Sequence, residues 1–182
     1  MKPHRPRAPT AQQGFTLLEL MISSTVFLLV AGAVVTALVV SSALNMTNRE
    51  TALASRAAQS VIEELKGTAF DEIFARYNAT AADDPTAGAS PGEDFAVAGL
   101  APQEGDKDGF VGAIEFPGTG TALHEDGDDA ELGLPRDLDG DGAVDADDHA
   151  GDYRILPVRV AITWNGQNGA RTFELVTVLT DL

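Results

Sequence analysis

The sequence predicts an α+β protein, with one long N-terminal α-helix followed by a small C-terminal antiparallel β-sheet. Three observations predict it. Residues 20–48 carry no charged side chain, and no proline falls between Pro9 and Pro85. Leu53, Ala57, Val61 and Leu65 continue at a spacing of four, with Ile62 beside them. Near the C-terminus, large apolar residues alternate with others on both sides of an Asn/Gly-rich turn. Four segments follow: 1–14, a basic leader; 15–44, an apolar helix; 45–77, its amphipathic continuation; and 78–182, an acidic, β-rich head.

The leader contains Lys2, His4, Arg5 and Arg7, three prolines and no acid. Basic residues ahead of an apolar stretch hold the N-terminus on the cytoplasmic side of a membrane. The uncharged run from Leu20 to Asn48 exceeds the roughly 20 residues that a helix needs to span a bilayer. It is also longer than the ~7–15-residue apolar core of a secretory signal peptide. Glu19 interrupts this apolar segment. A carboxylate well inside a membrane helix costs on the order of 2.5–3.5 kcal/mol on insertion scales, so it calls for a function.

The run Gln13-Gly14-Phe15-Thr16-Leu17-Leu18-Glu19-Leu20-Met21-Ile22 behind a basic leader resembles the N-terminus of prepilins. These are the precursors of type IV pilins and of the pseudopilins of type II secretion. The resemblance implies cleavage after Gly14 by a membrane-embedded aspartyl protease, the prepilin peptidase, and methylation of the new N-terminal Phe15. It also implies that Glu19 faces the α-amine of a neighbouring subunit and sets register during assembly. The partners implied are other pilin or pseudopilin subunits, the peptidase and the inner membrane, with the head periplasmic until assembly into a pilus or pseudopilus. The fold implied is the pilin fold.

One nearly continuous helix is expected from about Thr16 to about Tyr77, with a break or bend at Gly67, where a glycine weakens a helix by about 1 kcal/mol. Its first half is apolar all round, and its second half presents one stripe to a core. Glu72 and Arg76 are spaced for an i,i+4 pair. Ala79 to Glu93 reads as loop, Phe95 to Val97 and Phe110 to Phe116 as short strands, and Gly118 to Pro135 as loop again. Val158 to Trp164 places large apolar residues at even positions. After residues 165–169, Phe173, Leu175 and Leu179 share one parity with Thr177, which predicts an antiparallel hairpin packed on the amphipathic helix and burying Trp164 and Phe173. This ending is similar to that of minor pilins of the PilV kind and of the I and J pseudopilins.

The formal net charge of −16 becomes −19 once Lys2, Arg5 and Arg7 leave with the leader. Of the 28 acidic residues, 22 lie between Asp71 and Asp152, so the head is strongly acidic. Nucleic-acid binding is disfavoured, as is adhesion to anionic lipid, because both need basic surfaces. Cations and basic protein surfaces are the expected partners. The absence of cysteine removes disulfides, thiol nucleophiles and Cys-based metal sites.

Residues 137–148 fit the loop of an EF-hand position by position. Asp137, Asp139, Asp141 and Asp145 supply oxygens at the first, third, fifth and ninth places. Gly142 stands at the sixth, Ala143 supplies a main-chain carbonyl at the seventh, and Asp148 stands at the twelfth. Val144 is expected to anchor the loop to a core. Ca2+ is a hard cation that takes six to eight oxygens, and this set suits it. The final Asp in place of Glu, and Pro135 just ahead, make the loop resemble isolated dockerin or thrombospondin-type calcium repeats more than a paired EF-hand. The acidic clusters Asp106/Asp108 and Glu125 to Asp129 are expected to be solvated loops, with a second ion as the alternative; His124 and His149, which lack a matching Cys or His, are expected to be solvated.

The sequence contains no Gly-x-Ser-x-Gly, phosphate loop or dinucleotide fingerprint, and no enzymatic activity is expected. A structural filament subunit with a calcium-stabilised head is the reading favoured. The alternative is a membrane-anchored, calcium-dependent adhesion or binding module that never enters a filament and keeps residues 1–14.

Overall fold

The computed structural model describes residues 14–85, 90–167 and 169–181. The predicted leader before Gly14, Asn168 of the predicted turn and the terminal Leu182 lie outside the described residues. The chain divides into two compact units, Met1–Leu44 and Asn45–Leu182. Helix α1 covers Leu17–Gly67, so the boundary falls within it.

In the first unit, Thr16 starts the helix. Its hydroxyl oxygen accepts a hydrogen bond from the Glu19 main-chain N–H (3.2 Å), and its carbonyl accepts one from Leu20 N–H (3.2 Å). This is N-terminal capping by a hydroxyl residue, with an acid in the first turn where the helix dipole favours it. The polar side chains of the apolar stretch return to the helix itself. Ser24 and Thr25 donate to the Met21 carbonyl (2.9 and 2.8 Å), and Thr36 donates to that of Gly32 (3.0 Å). Such back-bonding satisfies these hydroxyls within the helix itself.

In the second unit, α1 ends at Gly67. A 3₁₀ turn at Phe70–Glu72 follows, then the short helix α2 (Ile73–Tyr77). The break expected at Gly67 is therefore present, and Arg76 reaches back to Glu72 (Nη2–Oε2 2.6 Å). Strands β1 (Asp94–Phe95), β2 (Gly112–Glu115), β5 (Ile155–Gly166) and β6 (Gly169–Thr180) form an antiparallel sheet in the order β1-β2-β5-β6. The expected α+β arrangement of a long helix followed by a small antiparallel sheet is the one observed. The hairpin is longer than its alternation suggested, because Pro157 reads as a boundary. β5 nonetheless begins at Ile155, since the β2 ladder reaches only from Arg159 to Ile162 and Pro157 lies beyond it.

Two further differences are local. Within the predicted 118–135 loop, β3 (Gly118–Thr119) and β4 (Ala122–Leu123) pair across a tight turn at Gly120, whose φ of +64° suits glycine. Two-residue strands carry no readable periodicity. The stripe of α1 is also rotated by about one position from Leu53-Ala57-Val61. The residues buried are Ala54, Ala58, Ile62 and Leu65, while Ala57 and Val61 pack at the margin. The small Ala54 and Ala58 side chains sit at the centre of the contact, so a stripe traced through the larger residues misses it.

These helix positions share one core with Ile73, Phe74, Tyr77, Ile114, Leu138, Tyr153, Leu156, Val158, Val160, Ile162, Trp164 and Leu179. Trp164 is buried, as expected, and its Nε1 donates to Glu50 Oε2 of α1 (3.2 Å). Phe173 packs at the edge of the core rather than inside it. On the sheet's other face Arg159 meets Glu115 of β2 (Nε–Oε2 2.7 Å), with Asp129 (3.3 Å) and Glu131 (2.9 Å) of the connecting loop. This cluster fastens the 125–135 segment that leads into the acidic loop.

Candidate functional site

The N-terminal site is the boundary between irregular backbone and helix. Gly14 and Phe15 are exposed, ahead of Leu17 where α1 begins. A Cβ on Gly14 would meet nothing within 4 Å, so the space around it is open. Glu19 is exposed in the first turn, amid a helix surface of Leu17, Leu18, Leu20, Met21 and Ile22, each more than half exposed. None of the most apolar stretch of α1 is buried, and it is long and apolar enough to cross a membrane.

The second candidate site lies between β4 and β5. The loop from Asp137 to Asp145 is built of successive turns in which each carboxylate bonds a main-chain N–H two to five residues ahead. Asp137 accepts from Gly140 (2.5 Å) and Gly142 (2.9 Å), Asp139 from Asp141 (2.9 Å), Asp141 from Ala143 (2.7 Å) and Asp145 from Asp147 (2.8 Å). Gly140 and Gly142 have φ of +80° and +91°, which only glycine adopts readily. Gly142 thus makes the sharp turn expected of the sixth place. The result is convergence: carboxylate oxygens of Asp137, Asp139 and Asp141 lie within 4.8 Å of one another. Hard oxygens so close suit a hard cation. The Gly140 and then the Gly142 N–H hold the Asp137 carboxyl below its ordinary pKa; the Asp147 N–H, followed by His149, does the same for Asp145.

Asp145 and Asp148 stand outside that group of three. Asp148 Oδ1 accepts from Leu123 N–H (3.0 Å) and Ala150 N–H (3.0 Å), tying the loop's end to β4. Ala143 is exposed. Val144 is not the anchor that the sequence suggested, since it is 47% exposed. Leu138, fully buried, takes that part, and its carbonyl accepts both Arg154 N–H (2.7 Å) and Ile155 N–H (2.9 Å). The apolar residue at the second place, not the eighth, faces the core, and residues 140–148 are exposed.

Two residues expected to be solvated are buried here. Glu125 is 1% exposed and His149 6% exposed. Glu125 Oε1 accepts from Leu138 N–H in a short bond and from Asp139 N–H (3.3 Å), and Oε2 accepts from Asp145 N–H (3.4 Å). His149 lies among four carboxylates, with Nε2 3.3 Å from Asp145 and 3.8 Å from Glu125, and Nδ1 3.2 Å from Asp152 and 3.9 Å from Asp139. Burial opposes the imidazolium, but the bond to Asp145, the charge of Glu125 and the contact with Asp152 outweigh it and raise the pKa above the ordinary value. No spacing rule marks Glu125, twelve residues ahead of the loop. His149 had one signal, as a lone histidine directly after twelve residues with no basic side chain. His124 is half-buried.

The fold and these sites together define a protein with an exposed apolar N-terminal helix and an acidic, sheet-based head. Residues 9–35 match the family model of the prokaryotic N-terminal methylation motif. That span contains Gly14, Phe15 and Glu19. No curated protein and no solved structure matches the chain.

Proposed function

We propose that the chain is a structural subunit, a minor pilin or pseudopilin, of a type IV pilus or a type II secretion pseudopilus. It is made as a membrane-inserted precursor with its head periplasmic, cut after Gly14 by prepilin peptidase and methylated at Phe15. The apolar part of α1 then leaves the inner membrane and packs among other subunits. One observation carries this reading: the methylation-motif match at 9–35 coincides with an apolar, wholly exposed helix surface bearing a single carboxylate. Such a surface demands a covering of lipid or neighbouring helices. Glu19 would then be neutralised by the methylated α-amine of an adjacent copy, because paired buried charges lose less free energy than lone ones. Glu19→Ala tests this. The variant is expected to be cleaved and methylated yet to stay in the membrane, and filament entry at wild-type levels contradicts the role given to Glu19.

The head is proposed to bind Ca2+ in the 137–148 loop. Asp137, Asp139, Asp141, Asp145 and Asp148 would supply carboxylate oxygens, and Ala143 its carbonyl. When bound, the ion supplies positive charge in an acidic head, and its binding free energy adds to folding stability. The convergence of Asp137, Asp139 and Asp141 supports this reading.

A further inference from the structure

We infer that Glu125, from outside the acidic loop, is the residue that positions it for a cation. The inference rests on the calcium reading of residues 137–148.

A carboxylate 99% removed from water is costly unless its lone pairs are bonded. Those of Glu125 are directed at the main chain of the loop: Leu138 and Asp139 N–H on Oε1, Asp145 N–H on Oε2. These are the second, third and ninth places. One side chain therefore clasps the loop's first turn to its far limb, and the intervening Asp139 and Asp141 are carried with it. In loops of this type the twelfth residue ordinarily gives the ion both of its carboxylate oxygens. Here Asp148 Oδ1 is turned to Leu123 and Ala150 N–H instead. Glu125 also stands next to β4, whose Leu123 carbonyl accepts His149 N–H (3.0 Å). Its carbonyl accepts Arg136 N–H (3.0 Å), which fixes its own backbone. The side chain thus has a rigid base and a defined reach. The groups facing its carboxylate are His149, Asp139 and Asp145.

The consequence is preorganisation. Asp137, Asp139 and Asp141 converge while the loop's amides are already held, so less ordering accompanies ion binding and affinity is higher. Glu125 acts through the loop as a positioning residue.

Calcium affinity of the full chain in detergent is measured by titration calorimetry, and amide exchange is measured on the metal-free chain. The wild type is compared with Glu125→Gln, which removes the charge, and Glu125→Asp, which keeps it but shortens the reach. Both variants are expected to weaken calcium binding by about tenfold or more (a tenfold change being about 1.4 kcal/mol). Both should also lose protection at the Leu138, Asp139 and Asp145 amides while the β5–β6 hairpin stays protected. Wild-type affinity in either variant, or unchanged protection of the three amides, overturns the inference. Loss of protection across the hairpin in both variants overturns it too, since Glu125 would then support the whole head. A wild-type chain that binds no calcium refutes the calcium reading, while the exchange comparison still reports separately whether Glu125 holds the loop.

Discussion

Alkaline pH is expected to loosen the head through one hydroxyl, that of Tyr153. This residue stands two residues ahead of β5, and only 7% of it is exposed. Its hydroxyl donates to the Phe70 carbonyl (2.5 Å) and accepts from Phe74 N–H (3.4 Å), joining the start of the sheet to the short helical turns after α1. Its ring packs against Phe70 with centroids 5.0 Å apart. Burial, aided by the charge of Asp71 and opposed by the Phe74 N–H, pushes the phenol up to about 12 from an ordinary value of 10.0. The folded state therefore holds the proton more tightly than the unfolded chain. Its contribution is complete below pH 10 and is lost as pH rises from 10 towards 12. At about 1.36 kcal/mol per pH unit, the total at stake is about 3 kcal/mol. Tyr153→Phe removes this dependence. It also removes two hydrogen bonds at neutral pH, at a cost of about 1–3 kcal/mol. Denaturant titrations of the full chain in detergent, followed by the fluorescence of Trp164, the sole tryptophan, measure both effects. Tyr77 also titrates high, so a residual slope remains in the variant. A variant with the full wild-type slope between pH 10 and 12 would refute the assignment.

Chelation is expected to lower the thermal midpoint of the wild-type head. At calcium 100-fold above Kd the ion contributes about 2.7 kcal/mol, and Asp137→Asn should make the midpoint insensitive to EDTA. An unchanged wild-type melting curve in EDTA contradicts calcium binding. Leu65→Ala, at a fully buried helix position, is expected to cost about 2–5 kcal/mol in denaturant titration. Leu53→Ala, at the margin of the stripe, should cost clearly less, and equal costs would contradict the observed rotation of the helix face.

The helix, its break at Gly67 and the C-terminal hairpin were legible because each rests on a local, repeated signal: absence of charge and proline, a glycine in an amphipathic stripe, and period-two alternation around Asn and Gly. The same logic located the turn at Gly142. It failed where burial is decided by distant partners. Val144 resembled an anchor by its place in a motif, but Leu138 is held by Arg154 and Ile155 N–H and faces the core. Glu125 and His149 sat in runs of acid that read as solvated. Burial is tolerable for each only because Glu125 finds three main-chain N–H groups and His149 four carboxylates. The contacts of Glu125 with Leu138, Asp139, Asp145 and His149 bridge 13 to 24 residues of chain, beyond any periodicity.

If prepilin peptidase processes the chain, the mature N-terminus is Phe15, at the start of the apolar helix. Intact mass spectrometry of the protein isolated from its native envelope tests it most directly. The expected result is a chain that starts at Phe15 and carries one added methyl group there. A native chain that retains residues 1–14, or an unmethylated terminus elsewhere, would contradict it.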